Sequence, residues 1–334
     1  MGVPAEVGGD PHVPFPGDNH VTEALATREP QPAVVPAGGG HKKRRRFSLG
    51  PLPWIGPALL LIFAVVLWPA IEMVRTSTLK ISISGLTKGF IGTANFEKLF
   101  ANPELPGVLT RTLVWVVIVV SVTIFISLGL AQLLDARYPG RRLVRWALII
   151  PWAASVVMTA TVWRWMLDGY YGVMNVILMD LHLIKDPINW LGDPSTAFPW
   201  LMAVAVFVSL PFTTYVLLAG LTSIPHDVYE AARVDGASTW QTYRGITLPL
   251  LRPAIMVAAL INMINVFNSF PIIWVMTKGG PGYQTDTTTT FMYKIAFKNQ
   301  DVGQSAAMAV VNFAIILVIV ALYLRTVGWR ERTT

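Results

Sequence analysis

Residues 109–134 read LTRTLVWVVIVVSVTIFISLGLAQLL, and this stretch decides the fold. Arg111 is its single charged residue, and the residues after Arg111 are mostly apolar. About 20 such residues suffice for a helix to cross the roughly 30 Å of hydrocarbon in a bilayer. Because a lone strand would leave its backbone groups unpaired in lipid, the stretch is predicted to be a transmembrane helix.

Further stretches on either side are also long and apolar, so the sequence predicts an all-α integral membrane protein with six transmembrane helices. In chain order the predicted spans are Leu52–Val74, Leu109–Leu134, Leu143–Leu167, Phe198–Thr222, Leu251–Met276 and Ala306–Val327. The composition agrees, because 53% of the 334 residues are hydrophobic and only 13% are charged. A soluble domain is about a quarter charged, so an ordinary soluble enzyme, a disordered protein and a fibrous protein are excluded.

The net charge of +7 raises the question of nucleic acid. Membrane proteins concentrate Lys and Arg in cytoplasmic loops, which accounts for the excess, and no stretch resembles a nucleic-acid-binding motif. We therefore expect membrane lipid and no nucleic acid as a partner. The chain contains no cysteine, so a disulfide, a thiolate nucleophile and a Cys-ligated zinc site are all excluded.

Residues 1–47 are predicted to form a disordered cytoplasmic tail, because Pro, Gly and small polar residues dominate them. The basic run at 42–46, KKRRR, is interpreted as a cytoplasmic anchor for the first span. A secretory signal peptide is the alternative, but the tail and the following apolar stretch are both too long for one. Residues 48–334 are predicted to form the six-helix transmembrane domain. Since the loop 135–142 and the C-terminal tail are also basic, both termini are predicted to be cytoplasmic.

Between the fourth and fifth spans, residues 223–250 read SIPHDVYEAARVDGASTWQTYRGITLPL, which is too polar to cross a membrane. Asp227 is predicted to cap a short helix, and Gly236 permits a sharp turn after it. A second short helical segment, about 238–246, is predicted to lead to the prolines at the entry to span five. From the residues alone, an amphipathic helix lying on the membrane surface is the alternative.

This loop resembles the EAA loop of the membrane subunits, or permeases, of ATP-binding-cassette (ABC) importers. The matching residues are Glu230, Ala231, Ala232, Asp235, Gly236, Ala237, Ile246, Leu248, Pro249 and Pro253. Tyr243 departs mildly from the pattern, since the family often has Phe there. The resemblance implies the type I importer permease fold, in which this coupling loop docks in a cleft of a separate ATP-hydrolysing subunit. It also implies that Glu230 and the small residues after it form the contact, with Gly236 setting the turn.

Other pieces of the chain, between about residues 52 and 327, resemble the carbohydrate branch of these permeases, which is related to the maltose transporter membrane subunits. The pieces are Ile91-Gly92 with Asn95-Phe96, Ile150-Pro151-Trp152, Val162–Trp165, Tyr171-Gly172 with Asn175, Thr277–Pro281, Tyr293–Phe297, Gly303 and Ser305-Ala306. The resemblance implies a multi-pass protein of the bacterial inner membrane that translocates a sugar, such as a di- or oligosaccharide.

The same resemblance implies the partners of the chain. They are a second permease subunit of different sequence, two ATP-binding subunits and an extracytoplasmic sugar-binding protein. The outer loops 168–197 and 277–303 are the candidates to meet that binding protein. ATP and Mg would be held by the ATP-binding subunits, and this chain would carry no cofactor and no metal of its own.

Polar residues recur on span five at steps of three and four, which would place on one helical face Asn262, Asn265, Asn268 and Ser269. Amides in hydrocarbon are costly unless they face protein, water or a ligand, and an amide can pair with a sugar hydroxyl as donor or acceptor. We predict that this face, together with Thr213 and Tyr215 of span four, lines a substrate path. The alternative is that these side chains hold helices together. Resemblance to the maltose-type permeases implies sugar contacts at Asn262 and Ser269, whereas Val266 replaces a polar residue of that relative.

Several functional classes lack their residues in this sequence. A G-x-x-x-x-G-K-[ST] phosphate loop is absent, so we expect no ATP hydrolysis by the chain itself. No catalytic triad or carboxylate pair falls at one depth, which predicts a transport subunit and not an enzyme. Span centres carry no Asp or Glu, which disfavours the alternative of an ion-coupled secondary transporter. A glycerol-phosphate or polyamine permease is the alternative cargo class, although uncharged centres of spans four and five favour a neutral sugar.

Overall fold

The computed structural model describes residues 52–331 except Ile83 and Arg137. The predicted tail at 1–47, with its basic run, therefore lies outside the described residues. The chain divides into two units, residues 1–56 and residues 57–334. Of the first unit the structure describes only residues 52–56, and the second unit holds all the remaining elements.

The described chain is built from helices and one small hairpin. In chain order the elements are α1 (Leu52–Ile62), a π-helical turn (Phe63–Leu67), α2 (Trp68–Ser77), β1 (Leu79–Ile81), β2 (Thr87–Phe90), α3 (Ala94–Phe100), α4 (Leu105–Asp135), α5 (Arg141–Ala153), α6 (Val156–Met166), α7 (Val173–Asp180), α8 (Pro194–Thr222), α9 (His226–Val234), α10 (Thr239–Thr242), a second π-helical turn (Tyr243–Thr247), α11 (Leu248–Phe267), α12 (Phe270–Met276), α13 (Thr288–Phe297) and α14 (Val302–Glu331). The strands β1 and β2 pair antiparallel, with Leu79 opposite Phe90.

Five helical segments of the described chain are long and apolar enough to cross a membrane. They are Trp54–Ser77, Leu105–Asp135, Pro194–Thr222, Thr239–Phe267 and Val302–Arg325. A sixth candidate is the pair α5 and α6, which meets the same test only when its two helices are taken together. The predicted all-α membrane architecture is confirmed, because these segments overlap the six predicted spans in order.

The third span differs from the prediction of one continuous helix. α5 and α6 are bent by 101° relative to each other. The break lies at Ala154 and Ser155, which both have extended backbones, and the Ser155 hydroxyl accepts the Met158 N–H as the N-cap of α6. Because Pro151 has no N–H to donate, it weakens the end of α5, and Ser155 then stabilises a new helix start.

The fifth span also requires a correction at both ends. One helix runs from Thr239 to Phe267, so the segment expected at 238–246 is the beginning of this span and not a separate element. The helix stops at Phe267, before the predicted end at Met276, and α12 follows after a two-residue break. Pro271 explains the stop, because it has no N–H to pair with the Phe267 carbonyl four residues earlier.

Three long helices form the centre of the fold. Trp115 of α4 lies 5.9 Å from Phe198 of α8 between ring centroids, and Ser127 donates to the Leu210 carbonyl at 3.5 Å. Both pairs are 83 residues apart, so α4 and α8 are parallel neighbours in register. The Trp115 Nε1–H donates to the Val266 carbonyl at 3.0 Å, which fixes α11 beside α4.

Two apolar clusters mark two depths of this three-helix group. The first surrounds Trp115 and Val266 and includes residues of α6 and α12. The second contains Ala131, Leu217 and Leu251, and it lies where α4 and α8 end and α11 begins. Since α11 is paired with the start of α4 at Val266 and with its end near Leu251, it runs antiparallel to α4.

Candidate functional site

The loop between α8 and α11 has the predicted helix, but its start differs in detail. Pro225 occupies the N-cap position of α9, and no side chain accepts a capping hydrogen bond there. Asp227 lies one residue inside the helix, so the expected cap at Asp227 is wrong. Its carboxylate is still in the first turn, where it interacts favourably with the positive end of the helix dipole.

The predicted turn at Gly236 is confirmed. Gly236 has a φ of +73°, a region that L side chains rarely adopt, and its N–H donates to the Arg233 carbonyl at 3.1 Å. Two residues later Ser238 begins the next helix with a capping box, in which its N–H donates to Gln241 Oε1 at 2.8 Å and its hydroxyl accepts the Gln241 N–H. The turn and the cap together define where the long fifth helix starts.

One face of α9 is packed against its own chain. Ala232 is 5% exposed, and the Thr247 hydroxyl of the second π-helical turn donates to the Tyr229 hydroxyl at 3.4 Å. Ala232, which was expected in a contact surface for a partner, is instead buried within its own chain. This packing attaches α9 directly to the start of the fifth helix.

The opposite face of α9 and its flanks are exposed. Glu230 and Ala231 of the predicted contact face outward, as do Asp235 and Gly236 at the turn. Val234 is 87% exposed nearby, which leaves apolar surface beside the carboxylates. A charged and apolar patch of this kind, on a short rigid helix, is suited to seating in a partner protein.

The remaining motif residues lie in the second π-helical turn or close to it. Ala237, Ile246 and Leu248 are half-buried, and Pro249 is exposed. The π-helical turn ends two residues before Pro249, whose missing N–H interrupts regular α-helical bonding. Behind α9 a cleft of about 880 Å³ opens between it and the end of α4, lined by Gln132, Asp135, His226, Tyr229, Arg233, Tyr243 and others.

The predicted polar face of span five is divided by the break in the helix. Asn262 is 2% exposed on α11, and its Nδ2 has no hydrogen-bond partner within the described chain. Asn265 is exposed on the same helix. Asn268 and Ser269 lie beyond the helix end, so a single helical face through all four residues is not present.

At the break itself the polar groups close the end of α11. The Asn268 side chain donates to the Ile264 carbonyl at 2.9 Å, and the Ser269 N–H donates to the Val266 carbonyl at 3.2 Å. Val266 is buried, and its carbonyl also accepts the Trp115 indole. Trp115 is a residue that sequence reasoning missed, since nothing in the spacing of the two helices indicates which residues face each other.

The polar residues of span four lie at a different depth. The Thr213 hydroxyl donates to the Ser209 carbonyl of its own helix at 2.9 Å, whereas the Thr214 and Tyr215 hydroxyls are buried without partners in the described chain. Tyr215 packs against the cluster that contains Leu217 and Leu251, near the end of α8. Asn262 lies one helical turn before Val266, which belongs to the cluster around Trp115. The structure therefore does not bring the predicted residues of spans four and five into one compact site.

The loops that were predicted to lie on the outer side are held by polar contacts that the sequence did not indicate. Asn175, fully buried, binds four backbone groups and the Trp190 indole, and so holds the 168–190 loop together. In the same loop the Tyr171 and Tyr170 N–H groups donate to the Asp168 carboxylate and lower the pKa of that carboxyl. In the last outer loop Asp286 and Lys294 form a buried ion pair, and burial raises the pKa of Asp286 to about 6. Their spacing of eight residues gave no sequence signal.

The chain is similar to known transport proteins over most of its length. The family profile described as "Binding-protein-dependent transport system inner membrane component" matches residues 124–329. A probable ABC transporter permease protein of Brucella suis biovar 1 is 44% identical over 80% of this chain and 93% of its own length. The trehalose/maltose transport system permease protein of Thermococcus litoralis is 33% identical over 86% of this chain and 97% of its own length. The sulfoquinovosyl glycerol transport system permease protein of Agrobacterium fabrum is 34% identical over 83% of this chain and 90% of its own length.

Among solved structures, a bacterial ABC transporter involved in the import of the acidic polysaccharide alginate has a chain with a similar fold. It superimposes with a TM-score of 0.73 at 24% identity, and the match covers 82% of this chain and 93% of that chain. A likeness at this identity concerns the fold, and it confirms the type I permease architecture.

Proposed function

The chain belongs to the family of binding-protein-dependent transport system inner membrane components, and from this premise we propose that it is the permease subunit of an ATP-driven sugar importer. Family membership makes it a multi-pass inner-membrane transport subunit, not an enzyme.

The observation that carries the cargo assignment is the buried, unpaired amide of Asn262 beside a broken spanning helix. An unpaired amide in an apolar helix group is costly, and a hydroxyl-rich cargo would satisfy it during passage. The break at Asn268 and Ser269, nearly two helical turns further on, adds polar groups along the same route. Two relatives over 30% identical carry the names of trehalose/maltose and sulfoquinovosyl glycerol systems, which supports a sugar.

The charge of the helices favours a neutral sugar over an ion. α8 contains no charged residue, and α11 contains only Arg252, close to its beginning. An anionic cargo would favour Arg or Lys in the path, and a cationic cargo would favour Asp or Glu. We therefore place a neutral di- or oligosaccharide ahead of a glycerol-phosphate or polyamine as the cargo.

The exposed face of α9 supports an ATP-binding partner. Glu230, Ala231 and the turn at Gly236 project away from the packed side, where an ATP-binding subunit would receive them. This assignment puts α9 and both termini in the cytoplasm. Two such subunits would bind ATP and Mg, a second permease subunit of different sequence would complete the path, and a sugar-binding protein would dock on the opposite side.

Co-purification tests the assembly. The chain is extracted from its native membranes in mild detergent, the proteins that accompany it are identified, and the complex is reconstituted in vesicles. We expect an ATPase subunit and a second permease, and ATP hydrolysis that rises when sugar and binding protein are added. A chain that purifies alone and supports ionophore-sensitive sugar uptake would refute the proposal in favour of a secondary transporter.

A further inference from the structure

The last outer loop is built around a buried ion pair between Asp286 and Lys294, and Lys294 lies in the Tyr293–Phe297 piece that resembles the carbohydrate branch. Asp286 Oδ2 lies 2.5 Å from Lys294 Nζ, and the two side chains are 0% and 6% exposed. The same ammonium donates to the Gly282 carbonyl at 2.9 Å and lies 4.8 Å from the centroid of the Tyr283 ring. Asp286 Oδ1 has no hydrogen-bond partner within the described chain, so the buried carboxylate depends on Lys294, and loss of either partner would leave a buried charge unpaired.

The turn before Asp286 is shaped to admit the pair. Gly279 has a φ of +74°, and a Cβ at this position would overlap Oδ1 of Asp286. Across the turn, the Thr277 and Thr285 hydroxyls are 2.9 Å apart, and the Thr285 hydroxyl donates to the Gly280 carbonyl at 2.8 Å. The carboxylate thus occupies space that only glycine leaves free, and it holds the turn against α13.

Two contacts attach this loop to α4. The Arg111 Nε–H donates to the Asp286 backbone carbonyl at 3.3 Å. The Thr288 N–H, at the beginning of α13, donates to the Thr112 hydroxyl at 2.9 Å. Because Trp115 also fixes α11 to α4, the last outer loop and the end of α11 are both attached to α4.

Aromatic side chains connect the ion pair with α12. Tyr293, the residue before Lys294, lies 4.5 Å from Trp274 and 5.0 Å from Phe270 between ring centroids. Phe270 directly follows Ser269, and α12 begins there. Any movement of α13 relative to the turn would therefore displace the short helix that borders the break.

We propose that Asp286 and Lys294 are positioning residues, which fix α12 through α13 and thereby set the geometry of the break at Asn268 and Ser269. The inference rests on the proposed function in one respect, since it assigns the break to the cargo path. The pair itself need not touch the cargo.

The test uses thiol labelling of the full chain in its assembled complex. Because the chain contains no cysteine, Ser269→Cys introduces a unique reporter thiol in the chain. The rate of its reaction with a water-soluble maleimide is measured in four backgrounds: unchanged, Asp286→Asn, Lys294→Arg, and Lys98→Met as the matched control. Lys98 forms the exposed ion pair with Asp301 on a neighbouring outer segment, so the control removes a pair without touching the turn.

Loss of one buried partner should speed labelling in Asp286→Asn by about tenfold or more. Lys294→Arg should retain most of the slow rate because it keeps the charge, and Lys98→Met should not differ from the unchanged chain. Equal rates in the Asp286→Asn and unchanged backgrounds would overturn the proposal.

A neutral double variant covers the case in which Asp286→Asn does not assemble. Replacing both partners, Asp286→Asn with Lys294→Gln, leaves no unpaired buried charge and should assemble. Faster labelling in this variant supports the positioning role. An unchanged rate or a failure to assemble would overturn the proposal and show that the pair serves only to stabilise the fold. The labelling does not depend on the cargo, so a failed sugar assay with altered labelling would refute the proposed function and leave the positioning role standing.

Discussion

Replacement of Asn262 by Leu should have opposite effects on stability and transport. The Asn262 side chain is 2% exposed, and its Nδ2 has no partner within the described chain. An unsatisfied buried donor costs about 1–3 kcal/mol, and the leucine side chain is similar in size and apolar. The free energy of unfolding of the variant should therefore equal that of the unchanged protein or exceed it, by at most about 1–3 kcal/mol.

Transport should fall in the same variant. If the amide pairs with a cargo hydroxyl, its loss removes about 0.5–1.5 kcal/mol of interaction, which corresponds to a decrease of about two- to tenfold. The unpaired cargo hydroxyl would add to this loss, because it would then pass an apolar surface.

The assay measures both quantities on one reconstituted complex. The thermal unfolding midpoint reports stability, and sugar-stimulated ATP hydrolysis at increasing concentrations of loaded binding protein reports transport. Asn312→Leu on α14 is the matched control, because Asn312 is 7% exposed and contacts Met292 Sδ, which lies outside the cluster around Trp115 and Val266. Asn312→Leu should leave transport unchanged. A lower unfolding midpoint for Asn262→Leu with normal ATP hydrolysis would refute the reasoning and assign Asn262 to helix packing.

Helix α9, the α8–α11 contact and the buried ion pair each give a further prediction. Glu230→Lys on the exposed face of α9 should leave folding intact but lower sugar-stimulated ATP hydrolysis by about tenfold; normal hydrolysis would remove Glu230 from the coupling surface. Gly220→Ala would place a Cβ 2.5 Å from Ala254 Cβ and should lower the unfolding midpoint, whereas Gly129→Ala, with nothing within 4 Å, should raise it through helix propensity; equal shifts would contradict the close packing of α8 on α11. Because burial raises the folded pKa of Asp286 to about 6, above 3.8, its contribution is present at low pH and lost as pH rises through about 6. The unfolding midpoint of the unchanged protein, relative to Asp286→Asn, should therefore fall between about pH 4 and about pH 6, and a constant difference would contradict the raised pKa.

Much of the architecture could be predicted because hydrophobic length is a strong local signal. The spans containing Trp115 and Leu210 can be located within a few residues, since lipid requires long uninterrupted apolar helices. The turn at Gly236 was also predictable, because a positive φ selects for glycine at that position. These features depend on neighbours in sequence.

The breaks in spans three and five were harder to predict. Pro151 and Pro271 were the available signals, but prolines also occur within continuous spans, as Pro211 does in α8. What separates these cases is the polar support nearby, namely the Ser155 cap and the Asn268 contact with Ile264. Whether such a cap forms depends on the whole local backbone and not on the proline alone.

The contacts between distant segments could not be read from the sequence. The Asp286–Lys294 pair, the Arg111 contact with the last loop and the Trp115–Val266 hydrogen bond all join residues whose proximity is set by tertiary packing. For the same reason, the sequence placed Thr213 and Tyr215 with Asn262 in one path, although the structure separates their depths.

The continuous run of helical turns from Thr239 to Phe267, which includes the second π-helical turn, would act as a lever in the proposed importer. Its 29 residues measure about 44 Å at 1.5 Å per residue, from the turn at Gly236 to the break at Asn268. A rigid rod of that length, pivoted at one end by about 10°, moves its other end by about 8 Å. A displacement of that size far exceeds the length of a hydrogen bond, so a pivot of this helix together with α4, to which Trp115 fixes it, would break a hydrogen bond between Asn262 and the proposed cargo.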